Sequence, residues 1–406
     1  MNLLYNLVAV QPIHHAKFHG GGSYGEVVFS ALIRELYGKA LASGDRLFAA
    51  FDSGKYLDAK IVSLCEKFGV PLFDIREKSP QRIIDENKID TFYTPLYSLE
   101  KKWDVSVPRF VFTWHGVRAL EMKYGLQGMK FARGLTQKAE ALVRYRELWK
   151  KYFYKPKYEN LARRILAGKV EAITVSEHSR ASIRAFFPEL FPVEIPVFYS
   201  PMDEVKPKGE LPPGVVPRKY FLLTSGARWE KNNLSAVKAL DVLMETFLSA
   251  DPDFKVVVTG VPYPEIYRKN VKDVSRFVFL DYVETESLEF LHQNAFAFVF
   301  PSLNEGFGYP PMQSMRYGVP VAASGSTSIP EICGDAALYF DPHSESEMLN
   351  RFVQLLDGNI YGLYAERARV RYEEVRRRQE ADLAKTVQYI LGSRQEPFEN
   401  PNKAIR

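Results

Sequence analysis

Two charged clusters stand beside glycines in the second half of the chain. GARWEKNN, Gly226–Asn233, follows an apolar run and opens a helical pattern, so Arg228 and Lys231 fall at the carboxyl end of a strand. Two cations beside a helix N-terminus suit a diphosphate, since a guanidinium bonds two oxygens at once and an ammonium adds a point charge. FVFPSLNEGFGYPPMQSMRYG, Phe298–Gly318, reads as a strand, a loop and a helix start, with Pro310 and Pro311 in the first turn, where proline is tolerated. Around Phe307, Gly306 and Gly308 can turn backbone N–H groups outward, and Glu305 can accept hydrogen bonds from sugar hydroxyls. Gln313 follows eight positions later, about one helical turn in, on the face toward the loop. The plainer role for a single glutamate here is a partner for the helix dipole.

The first half offers HGGGSYGE, His19–Glu26, after the first strand and at the opening of a helix. Consecutive glycines, Gly22 among them, let a backbone approach a ligand closely. Gly20, Gly22 and Gly25 match G-x-G-x-x-G but lie well past the strand, and Asp52 is the one acidic candidate after a second strand, so a dinucleotide enzyme is weakly supported. His115 lies in the segment FTWHG. His14 and His15 are adjacent, so their side chains point apart, and the histidines and cysteines show no zinc spacing. Asp251-Pro252-Asp253 could suggest a metal but lies in a polar segment that reads as a turn.

These residues need elements to hold them. The runs Tyr220–Gly226, Lys255–Gly260, Phe277–Val283, Ala295–Ser302, Pro320–Gly325 and Ala336–Asp341 are nearly continuously apolar, as strands covered on both faces are. Helical spacing fills most of the gaps, as in Asn233–Leu248 and Thr285–Asn294. In the first half the expected strands are Leu3–Val10, Arg46–Asp52, Pro71–Ile75, Thr91–Leu96, Arg109–Trp114, Ala172–Ser176 and Ile195–Tyr199. Helices are expected over Tyr24–Leu41, Leu57–Phe68 and about Phe131–Ala167, the last broken in two by Pro156. Alternating strand and helix implies doubly wound parallel sheets. The Pro-rich stretch Tyr199–Tyr220 marks the boundary between two domains, 1–200 and 201–376. Residues 377–406 are expected to form a helix crossing back to the first domain, plus a tail. Ligands then bind outside the carboxyl ends of the strands, in the cleft between the domains.

Composition agrees with two globular domains: 406 residues, 46% hydrophobic and 25% charged. Two cysteines, Cys65 and Cys333, no leader pattern and no apolar run of about 18 residues point to a cytoplasmic protein. Residues 1–200 carry 30 Lys and Arg against 21 Asp and Glu, and the stretch 121–170 carries 13 against 4. Such a segment attracts phosphates or an anionic membrane surface, although a solvated helical face has the same composition. No nucleic-acid partner is expected.

Together the segments resemble the retaining GT-B glycosyltransferases of family 4 (group 1). The resemblance is densest over Leu280–Pro342, including Ser328-Ile-Pro-Glu331 and Gly334-Asp-Ala-Ala337. KNNLSAVKAL, AITVSEHSRASI (Ala172–Ile183), FTWHG and HGGGSYGEVVFSALIREL extend it over most of the chain. It implies two Rossmann-like domains facing a central cleft, the first binding the acceptor and the second the nucleotide-sugar donor. Glu305 takes the place of the first glutamate of the family's Glu-x7-Glu pair and is expected to bond hydroxyls of the donor sugar. Gln313 takes the place of the second, which bonds the nucleotide ribose. Arg228 and Lys231 would hold the diphosphate, and His115 would lie by the anomeric carbon. Gly22 would allow close approach of a substrate, while Gly306, Phe307 and Gly308 would supply backbone N–H groups.

The implied reaction is retaining transfer of a hexose from a GDP-, UDP- or dTDP-sugar to a glycan or lipid-linked acceptor, without cofactor or metal. The variants look most like mannosyl- or rhamnosyltransferases of O-antigen-like pathways. Two alternatives stay open: a non-catalytic sugar-binding or partner protein, raised by Gln313, and a synthase acting on a soluble sugar or sugar phosphate.

Overall fold

A computed structural model describes residues 1–12, 20–38, 44–97, 103–124, 126–132, 134–147 and 150–392. His14, His15 and His19 lie outside them. The described residues form two six-stranded, all-parallel sheets. The first contains β1 (Asn2–Asn6), β2 (Arg46–Phe51), β3 (Leu72–Asp74), β4 (Thr91–Thr94), β5 (Arg109–Trp114) and β6 (Glu171–Thr174), in the order β3-β2-β1-β4-β5-β6. The second contains β7 (Tyr220–Leu223), β8 (Lys255–Val258), β9 (Phe277–Phe279), β10 (Ala297–Phe300), β11 (Val321–Ser324) and β12 (Ala337–Phe340), in the order β12-β11-β10-β7-β8-β9.

From β9 the second order runs 9-8-7-10-11-12, the same winding as the first sheet. Each sheet reverses direction once, between β1 and β4 and between β7 and β10. At such a reversal the flanking loops leave on opposite faces and open a crevice at the carboxyl ends. Helices on both faces make continuous apolar strands stable: Leu3 and Tyr5 pack on one side of the first sheet and Leu4, Phe48 and Phe92 on the other, all at most 2% exposed. Each such side chain contributes about 1.5–3 kcal/mol relative to exposure. This is the GT-B architecture expected from the sequence.

The differences are local. Strands end two or three residues before several expected limits, because the residues past Leu223 and Val258 turn into the loops of the crevice. Ile195–Tyr199 is no strand. Val197 makes one isolated bridge to Thr174, since Pro196 has no N–H to give. The glycines read as a loop before the first helix belong to it: the helix runs Gly20–Gly38. Pro156 does not divide a helix. The Gly134–Tyr145 helix ends before it, and Pro156 sits in the first turn of Lys155–Leu166, which a π-helical turn, Lys150–Tyr154, leads into directly. Residues 201–219 carry neither helix nor strand. One helix of 33 residues, Gly358–Ile390, then returns toward the first domain, where Arg109 of β5 donates to the carbonyls of Tyr389 and Ile390, both at 2.7 Å. No helix among the described residues is long and apolar enough to cross a membrane.

Candidate active site

The loops after β7 and β10, which flank the reversal in the second sheet, bring the central pair together. After β7 the chain makes a short 3-10 turn, Trp229–Lys231, that carries Lys231 inward. After β10, Glu305 meets it: Lys231 Nζ lies 2.5 Å from Glu305 Oε1, and both side chains are under 10% exposed. Ser302 Oγ donates to the same oxygen. The loop is fixed by Ser328, whose hydroxyl bonds the carbonyls of Glu305 and Phe307, and by Thr327 Oγ1, which accepts from the Glu305 N–H.

Burial alone would raise the pKa of Glu305, but Lys231 and then Arg118 outweigh it and hold the carboxyl below its usual range. Burial pulls the Lys231 ammonium down, and Glu305 opposes that pull. Glu305 is thus held ionised beside Lys231 at a buried point of the crevice, where electrostatic interactions are little screened.

The first domain closes over this pair. Arg118, in the short helix Arg118–Glu121 after β5, places Nη2 3.9 Å from Glu305 Oε2 and Nη1 3.8 Å from Glu230 Oε1. Arg228 grips the same Glu230 oxygen through Nε and Nη2, at 2.9 and 2.7 Å. His115 bonds the Pro95 carbonyl through Nε2 at 2.8 Å and stands edge-on to Tyr24. A carbonyl only accepts, so Nε2 carries the proton, and in the neutral ring Nδ1 is the acceptor. Ser176 and Ser179 donate to the Gly306 carbonyl at 2.7 and 3.2 Å. Asn304 Nδ2 donates to Glu121 at 2.6 Å, and His178 lies 3.0 Å from the other Glu121 oxygen. Glu331 caps the Glu177–Phe186 helix from the opposite domain, accepting the N–H groups of Glu177 and His178 at 2.9 Å each. His115, Arg118 and Glu121 on one side and Asn304 and Glu305 on the other line a narrow crevice between the domains.

His115, Glu305, Arg228, Lys231 and Gly306 therefore converge. Phe307 is buried against Tyr199, its ring near-perpendicular at 5.4 Å, and Gly308 opens the Tyr309–Met315 helix at φ +114, a conformation suited to glycine. Gly22 sits in the first turn of its helix. The glycine that tight packing requires there is Gly25, where a Cβ would fall 2.6 Å from Val10 and 2.9 Å from Pro95. Gln313 lies apart from the Lys231–Glu305 cluster, and its amide donates to Glu289 of the neighbouring helix at 2.6 Å. Asp52 is paired with Arg76 and caps its own turn, which removes the one candidate acid of the dinucleotide reading. Asp251 and Asp253 lie in a turn and share Lys219. Arg118, Glu121, Asn304, Ser176, Ser179 and Glu331 were not legible as site residues, because their partners lie across the cleft. Arg118 does stand three positions after His115, at a helix start beside the crevice.

The family described as "Glycosyl transferases group 1" matches residues 221–358. The O-antigen chain mannosyltransferase B of Escherichia coli is 44% identical over 83 residues, 20% of this chain and 22% of that protein. The O-antigen chain mannosyltransferase RfbU of Salmonella typhimurium (strain LT2) is 29% identical over 132 residues, 32% of this chain and 36% of that one. The chain thus spans between about a fifth and a third of the length of these relatives. Among solved structures, Anabaena Alr3699/HepE in complex with UDP and glucose superposes with a TM-score of 0.60 at 12% identity, over 96% of this chain and all of that one, which places the fold in the same class.

Proposed function

We propose that the chain is a retaining glycosyltransferase that moves a hexose from a nucleotide-sugar to an acceptor hydroxyl in polysaccharide or glycolipid synthesis. Mannose is the sugar that the names of its relatives favour. The observation that carries the reading is the buried Lys231–Glu305 pair at the reversal of the second sheet, faced across the cleft by His115 and Arg118.

In this reading Lys231 and Arg228 take the diphosphate, and Glu305, already ionised, accepts from the sugar hydroxyls. As the bond from the anomeric carbon to the diphosphate breaks, negative charge grows on the leaving oxygens and these cations stabilise it. The acceptor oxygen bonds the anomeric carbon on the same face, and its proton passes to the leaving phosphate. No nucleophilic carboxylate and no metal is invoked, because the cations at the site supply the positive charge. Docking of Gly306 against His115 sets how the two halves of the site meet.

A thermal-shift panel of GDP, UDP and dTDP tests the donor half. One nucleotide at about a hundredfold over its Kd should stabilise the protein by about 2.7 kcal/mol, and no shift with any of them would sink the reading. The basic 121–170 stretch exposes Leu135, Tyr152 and Phe153 among its cations, which suits a peripheral contact with an anionic membrane carrying a lipid-linked acceptor. Co-sedimentation with anionic vesicles should weaken steeply with salt, and equal binding to neutral vesicles would contradict it.

A further inference from the structure

The two cations placed at the diphosphate are already committed. Arg228 is bonded to Glu230 at 2.9 and 2.7 Å, and Lys231 to Glu305 at 2.5 Å. Two cations against two carboxylates leave no net charge for an anionic ligand. The one charge in excess comes from the first domain. The Arg118 guanidinium faces both carboxylates, Glu230 Oε1 at 3.8 Å and Glu305 Oε2 at 3.9 Å, and shares the Glu230 oxygen with Arg228. Both distances are too long for hydrogen bonds, and among the described residues this guanidinium makes none. Glu121, three residues on in the same short helix, is taken instead by Ser182, His178 and Asn304. Burial raises the pKa of Glu230 and of Glu305. Arg228 for the first and Lys231 for the second, with Arg118 behind each, bring both below the usual carboxylate range.

We propose that Arg118 is a positioning residue for transfer, a counter-ion from the first domain that takes over Glu230 and Glu305 when Arg228 and Lys231 turn to the diphosphate. The proposal rests on the donor reading above and says what becomes of the two carboxylates when a donor arrives. Without Arg118, a phosphate drawn to Arg228 and Lys231 meets two carboxylates left with no cation, and like charges this close repel. The guanidinium needs to move little. Its Nη1 and Nη2 already face one carboxylate each, and closing each gap by about 1 Å gives a charge-assisted hydrogen bond. Arg118 belongs to the opposite domain, so an occupied donor site strengthens the contact between the domains. By linkage, the closed domains then hold the diphosphate more tightly.

The test is calorimetric titration of GDP, UDP and dTDP into the wild type, Arg118→Ala, Arg118→Lys, Glu230→Gln and Arg118→Ala/Glu230→Gln, with a melting curve for each. Arg118→Ala should bind the preferred nucleotide about tenfold more weakly, a usual size for coupling between sites. Arg118→Lys keeps the charge and should stay within about threefold of wild type. In the Glu230→Gln background, Arg118→Ala should cost only about threefold or less, because one of the two carboxylates it serves is gone. An equal loss in both backgrounds would mean that Arg118 meets the ligand itself. Unchanged affinity in Arg118→Ala would mean that it only joins the domains, and a full loss in Arg118→Lys would mean that its charge is not what acts. Each of these results overturns the proposal and leaves the donor reading standing. A wild type that binds none of the three nucleotides would overturn the donor reading and this proposal with it.

Discussion

Lys231→Ala lowers the melting temperature of the second domain by about 6–20 °C. Lys231 and Glu305 are both under 10% exposed and 2.5 Å apart. Removing the ammonium leaves a buried carboxylate whose nearest remaining cation, Arg118, is 3.9 Å away and belongs to the other domain. Breaking a buried pair from one side costs about 3–5 kcal/mol. In a domain of this size each kcal/mol moves the midpoint by about 2–4 °C. Glu305→Ala should cost less, because a lysine left alone can shed its proton, and Lys231→Ala/Glu305→Ala should cost clearly less than the sum of the two. Strict additivity across these melting curves would show that the two side chains do not act as a pair. Glu305→Gln keeps the shape and the Ser302 contact while removing the charge, so it separates folding from chemistry.

Gly306→Ala should cut transfer by about a hundredfold or more while leaving nucleotide affinity within a few-fold of wild type. A Cβ at Gly306 would lie 2.5 Å from the backbone carbonyl oxygen of His115. That atom belongs to the opposite domain and cannot rotate aside as a side-chain tip could, so the domains must separate. Separation also stretches the bonds from Ser176 and Ser179 to the Gly306 carbonyl. A displacement of about 1 Å at reacting centres is enough for a loss of that size. The Lys231–Glu305 cluster lies within the second domain, so donor binding should persist. Matched rates and affinities for Gly306→Ala and wild type would mean that the observed closure is not the working geometry.

The architecture was legible because its cause is local. A strand covered on both faces must be apolar throughout, and runs such as AFVF between helical stretches can satisfy that only in parallel sheets. Strand limits were overestimated because the small residues past the last ladder bond, Thr224–Gly226 and Thr259–Gly260, turn into the crevice loops. Within the site, Lys231, Arg228 and Glu305 were visible as charges at strand ends beside glycines. Glu331 was visible only as part of a motif, since nothing local shows that it caps a helix 153 residues earlier. Glu121, Ser176 and Asn304 were hidden for the same reason. Gln313 was seen but its partner was not: Glu289 lies 24 residues back on a separate helix, and no helical spacing links them. Contacts within an element follow from periodicity, whereas contacts across the cleft follow only from how two domains meet.

If the Lys231–Glu305 pair turns over a nucleotide-sugar, the Glu305 carboxylate is required for turnover. Release of nucleoside diphosphate from the sugar form of the preferred nucleotide, measured side by side for wild type and Glu305→Gln, tests it most directly. Steady release by the wild type is expected, with a rate lower by about a hundredfold or more in Glu305→Gln while nucleotide stays bound. Equal rates in the two proteins, or no release by a wild type that binds the nucleotide, would contradict it.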